Sequence, residues 1–93
     1  MSEIIMAYAI YDNKGDRYDT PFFAFNDLFA ERRFVIMSRD KNTPLGAFTK
    51  DFTLFRIGSF NVISGVLKED KHLVIDGKQI GKEIEEDEIS NAA

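Results

Sequence analysis

Arginines at positions 17, 32, 33, 39 and 56, together with Lys41, are interleaved with Tyr8, Tyr11 and a set of nine phenylalanines. A guanidinium can grip a phosphate with two parallel hydrogen bonds and can stack on a flat ring. Aromatic side chains presented by a sheet can stack unpaired bases. Together these residue types have the chemistry to hold a single-stranded polyanion. Arg32, Arg33, Arg39 and Lys41 crowd one segment, and Arg56 sits inside the aromatic run "DFTLFRIGSF". Arg17 adjoins Tyr18, and Tyr8 and Tyr11 are candidate stacking rings. The competing reading is that the phenylalanines form a core and the arginines are solvated, and composition alone leaves both open.

Other chemistries find little support. There is no cysteine, hence no disulfide framework, thiolate nucleophile or thiolate zinc site. The single imidazole, His72, lies between Lys71 and Leu73 and reads as an ordinary strand residue, since acid–base catalysis needs a base oriented by a second group. "DNKGD" resembles the start of a calcium loop, but Arg17 and Phe23 stand where that loop needs glycine and glutamate. No phosphate-binding glycine motif is present. The sequence is therefore read as non-enzymatic, with no cofactor and no metal.

The elements that must position these residues follow from pattern. Residues 3–11 alternate and are apolar on both faces, which predicts a central strand. One face would carry Met6, Tyr8 and Ile10, the other Ile5, Ala7, Ala9 and Tyr11. "DNKGDRYD" is a polar loop, and Pro21 confines the strand over Phe22–Phe25 to an edge. Asn26 or Asp27 can cap a helix that ends near Asp40. Its broad face would carry Phe29, Ala30, Arg33, Phe34, Ile36 and Met37, and its opposite face Leu28, Arg32, Val35 and Arg39. "DKNTPLG" reads as a linker. A strand over residues 52–60, a turn closed by Gly65 and a return over Val66–Lys68 form a hairpin. Asp76-Gly77 predicts a second tight hairpin. The fold class is α+β: an antiparallel sheet of four to five strands with one helix on one face, in a single domain over residues 1–82. The other sheet face is then either wet or met by a partner.

The net charge of −4 divides unevenly. Glu83, Glu85, Glu86, Asp87 and Glu88 supply five of the 16 acids, so residues 1–82 hold 12 bases against 11 acids. Residues 83–93 are read as an acidic flexible tail. It could confer solubility, dock on a basic partner, or fold back over the basic patch. A chain of 93 residues buries only roughly 60–65% of its unfolded surface, and association is a common remedy. Leu28 and Val35 are therefore either scattered surface residues or a homodimer seam. No targeting segment and no membrane span are read, and a reducing cytoplasm suits the composition.

The chain resembles the small nonstructural protein of gokushoviruses, microviruses with single-stranded DNA genomes. The resemblance starts at "YAIYD" with Tyr8, Ile10 and Asp12, and continues in "PFFAFND" with Pro21, Phe22, Ala24, Asn26 and Asp27. It runs on through Ala30, Arg32 and Phe34 to Asp51, Phe52, Leu54, Phe55, Gly58, Phe60 and Gly65. Asn61 stands where the pattern has Asp, and Arg33 and the acidic tail lie outside it. The resemblance implies a phage protein that binds single-stranded DNA in the bacterial cytoplasm during genome replication or packaging. It supplies no binding residues. A factor that binds a phage or host protein through the tail or an apolar helix face is the alternative.

Overall fold

The computed structural model describes residues 3–80, so the expected acidic tail, and the domain boundary at residue 82, lie outside the described residues. Strand β1 (Ile4–Asp12) runs through the middle of an antiparallel sheet. On one side it pairs with β2 (Arg17–Tyr18) and β3 (Phe22–Ala24). On the other it pairs with β4 (Phe52–Asn61), which β5 (Leu67–Asp76) then borders. Flanked on both edges, β1 buries Ala7, Tyr8, Ala9 and Ile10 consecutively. Tyr8 and Ile10 lie in the core with α1, whereas Ala7 and Ala9 are small side chains set between larger neighbours, Ala7 opposite Phe23 and Ala9 opposite Phe55.

Helix α1 (Asp27–Ser38) starts where the sequence provides its cap. The Asn26 side chain accepts a hydrogen bond from the Phe29 N–H at 3.0 Å. The helix packs on one sheet face. Ala30 and Phe34 join Tyr8, Ile10, Leu54 and Ile75 from the strands in the buried core, with Leu45 and Ile80 closing its ends. The facing differs from expectation. Phe29, Arg33, Ile36 and Met37 are exposed, whereas Val35 packs partly against the core. Apolar side chains occur all round α1, so its rotation is set by which of them fit the sheet.

The expected linker contains a short helix α2 (Pro44–Ala47), capped by the Thr43 hydroxyl and begun by Pro44, then a 3-10 turn (Thr49–Asp51). The β4–β5 turn forms as predicted. Gly65 adopts φ +77°, and the Asn61 carboxamide oxygen accepts from the Ile63 and Ser64 N–H groups.

The second hairpin does not form. β5 is one strand of ten residues, and residues 77–80 are helical. Asp76 caps this turn: its Oδ1 accepts from the Lys78 N–H at 2.9 Å, while Gln79 Oε1 accepts from the Asp76 N–H at 3.2 Å. A Cβ at Gly77 would lie 1.8 Å from the Thr49 carbonyl oxygen. Glycine is therefore needed here for close approach rather than for a tight turn, and the turn delivers Ile80 into the core fully buried.

Candidate functional site

Alternation along the strands sends neighbouring residues to opposite faces. Tyr8 and Ile10 face α1, so Tyr11 faces away. Register carries this across the sheet: Tyr11 lies opposite Tyr18, Phe55 lies opposite Ala9 and Leu73, and Arg56 lies opposite Tyr8 and His72. Phe55 and Arg56, adjacent in the aromatic run, therefore belong to different surfaces.

On the face away from α1, rings from three strands meet. The Tyr11 and Tyr18 centroids are 4.7 Å apart, and Phe55 stands edge-on to both at 6.4 and 6.0 Å. The Lys71 Nζ lies 4.9 Å from the Tyr18 centroid and 5.1 Å from that of Phe55, within cation–π range. Farther along the same face Phe23 and Phe60 pair at 5.9 Å, beside Ile5, Ala7 and Leu67. Tyr18, Phe23, Leu67 and Leu73 are exposed, and among the described residues no helix covers this face. Its charges are mixed. Lys71 shares this face with Glu69, which lies beside Phe23 and Leu67, and Asp16 accepts a hydrogen bond from the Tyr11 hydroxyl. That bond raises the Tyr11 pKa above its ordinary value.

On the opposite face, under the N-terminal end of α1, lies a polar network. The Tyr8 hydroxyl donates to Asp27 Oδ1 at 2.8 Å, and His72 Nε2 lies 3.1 Å from Asp27 Oδ2. Arg56 donates to Asp70 at 2.7 Å and reaches Asp27 at 3.4 Å. Burial pushes the Asp27 carboxyl upward, but hydrogen bonds from His72 and Tyr8 and the charge of Arg56 more than offset it, and the net displacement is downward. Burial, then the bond to Asp27, drives the Tyr8 hydroxyl well above the ordinary tyrosine range. The Asp70 hydrogen bond holds the Arg56 guanidinium firmly charged.

These positions correct two sequence expectations. Tyr8 is completely buried and cannot stack a base. Arg56 is neutralised by two carboxylates on the α1 side, so it does not stand among the rings of the run that contains it. Arg32, Arg33, Arg39 and Lys41 are exposed, but on and just after α1, across the sheet from Lys71. Arg33 lies over the Phe22 ring at 4.5 Å. Of the expected candidates, Tyr11 is the one on the open ring face; Arg17, opposite Asp12 in register, is exposed at the β2 edge and points to the other side. Leu28 and Val35 share a shallow groove of α1 with Arg32 and Arg39, and Val35 also packs partly against the core.

Lys71, Tyr18, Phe55, Phe23 and Phe60 were not singled out from sequence as site residues. The signal that could have found them is strand pairing: with β4 antiparallel to β1 and β5, Phe55 comes beside Tyr11 and Lys71. His72 likewise gains an orienting carboxylate that its sequence neighbours do not reveal. Among the described residues no group of three or more His, Asp or Glu could hold a metal ion, and no helix is long and apolar enough to cross a membrane.

A family model described as "Phage ORF5 protein" matches residues 5–80, which takes in β1 from its second residue, the other four strands and α1. No curated protein and no solved structure matches the chain.

Proposed function

The chain belongs to the Phage ORF5 protein family, and we propose that it is a non-catalytic protein that binds single-stranded DNA across the open face of its sheet, independently of sequence, in the cytoplasm of an infected bacterium. The observation that carries this reading is the Tyr11–Tyr18–Phe55 ring cluster with the Lys71 ammonium beside it on an uncovered face. Every base has a π-face, so such a platform tolerates any sequence. Phe23 and Phe60 extend it along the strands. Lys71 on this face and Arg17 from the β2 edge would contact phosphates, and the gokushovirus resemblance supports a role in genome replication or packaging.

Fluorescence anisotropy with a labelled oligonucleotide across a salt series tests this. Each phosphate contact on a single strand contributes about −0.7 to the slope of log affinity against log salt, so two cations give a slope of about −1.4. Engagement of the α1 arginines as well would give about −3 or steeper. No binding at low salt overturns the proposal.

A second reading rests on exposed apolar residues away from the rings. Leu28, Phe29 and Ile36 on α1, and Val62, Ile63 and Val66 at the β4–β5 tip, are all more than half exposed. They fit a homodimer or a phage or host protein partner. Sedimentation of the purified chain separates the two: a monomer at all concentrations removes the homodimer.

A further inference from the structure

The arginines of α1 are left without a role by the open-face reading, and they border a groove. Leu28, Val35 and Ile36 form its apolar floor and walls, with Arg32 and Arg39 along it and Glu31 as the one acid. Leu28 and Ile36, about two turns apart on the same side of the helix, are each 62% exposed. The surface thus offers two things to an occupant: aliphatic contact and positive charge.

The chain supplies an occupant with both complements. Residues 81–93 carry Ile84 and Ile89, and between and beside them Glu83, Glu85, Glu86, Asp87 and Glu88, against a single Lys82. We propose that this C-terminal segment docks on the outward groove of α1, with Ile89 against its exposed aliphatic side chains and the acids facing Arg32 and Arg39.

Reach and length agree. The described chain ends at Ile80, buried in the same core cluster as Ala30 and Phe34 on the inner side of α1. The way round a helix about 10–12 Å across is about 16–19 Å, or five to six extended residues, so a chain leaving Ile80 can come out on the outward side of α1 from about residue 86 onward. Nine steps from Ile80 to Ile89 span at most about 30 Å, which covers that path and part of the length of α1, about 18 Å for its 12 residues. Ile84 and Ile89 are five positions apart and so point to opposite sides of an extended chain. Ile89 is therefore the residue that can meet the aliphatic side chains, with the neighbouring acids beside the arginines. The docking does not depend on nucleic-acid binding. Where that reading holds, the segment would keep the α1 cations from competing with the ring face for the strand.

The chain has no cysteine, so Ala93→Cys gives one site for a nitroxide label on the full-length protein. Amide resonances are then compared with the label oxidised and reduced. The proposal expects intensity loss at Leu28, Arg32, Val35 and Ile36, with the amides of Tyr11, Tyr18 and Phe55 spared. The loss should vanish in Arg32→Glu/Arg39→Glu and in Ile89→Ser. It should weaken at about 1 M salt, where the screening length falls to about 3 Å. Unchanged sheet resonances certify that each variant is folded. Uniform weak broadening, broadening centred on the ring face, or indifference to charge reversal would each overturn docking. A sample mixing labelled with isotope-enriched unlabelled chains completes the test. Broadening that appears there would mean the segment docks on a second copy, which overturns the intrachain form.

Discussion

Replacing Arg56 by methionine separates a structural arginine from a binding one. The long apolar stem is retained and the guanidinium is lost. With it go a 2.7 Å hydrogen bond to Asp70 and a 3.4 Å contact with Asp27. Asp70 is about half exposed, so its pair contributes at most about 1 kcal/mol. Asp27 keeps its bonds to Tyr8 and His72, and its share of the loss is of similar size because it too is more than a third exposed. The expected destabilisation is about 1–2 kcal/mol, or a fall in Tm of roughly 4–16 °C for a domain this small. Urea unfolding should show a lower midpoint with an unchanged slope. The pH dependence gives a further check. The folded-state pKa of Asp27 is depressed, so its contribution is present above the unfolded value of about 3.9 and is lost as pH falls through the folded value. The gap between wild type and variant should therefore close in acid. Oligonucleotide affinity should not change. Unaltered stability together with weakened oligonucleotide binding would refute the assignment of Arg56 to the α1 side of the sheet.

Phe55→Ala should weaken oligonucleotide binding by about 1–3 kcal/mol, roughly 5- to 150-fold, by removing one stacking surface; titration at low salt measures it. Lys71→Glu should lower affinity and make the salt slope shallower by about 0.7, while thermal unfolding stays close to wild type because the side chain lies on the open face. The Tyr8 hydroxyl titrates higher in the folded state, so its contribution is complete below about pH 10 and is lost as pH rises through the folded value. Wild-type stability should thus fall by up to about 1.4 kcal/mol per pH unit above pH 10, and Tyr8→Phe should fall less steeply in the same denaturant series. Gly77→Ala places a methyl group against the Thr49 carbonyl and should cost about 1–3 kcal/mol or more, read as a lowered unfolding midpoint.

The sequence by itself determined the elements whose cause is local. Asn26 supplies the α1 cap, Asn61 and Gly65 supply the β4–β5 turn, and the two-sided apolar pattern of residues 3–11 marks β1 as central. The α+β architecture and the phage family were legible for the same reason: order and spacing of such signals survive without knowledge of contacts. The tertiary structure alone decided which surface each functional group serves. Phe55 and Arg56 adjoin in sequence, yet a period of two sends the ring to the open face and the guanidinium to Asp27 and Asp70. Irregularities at Ala7/Tyr8, Leu54/Phe55 and Arg56/Gly58 shift the register, so parity could not be counted along β4 and β5 from sequence. Asp76-Gly77 became a helix cap because Thr49 packs against it, a contact between residues nearly thirty positions apart. Proximity along the chain fixes local hydrogen bonds; only the closure of long-range pairs decides which side of a sheet a charge or a ring will face.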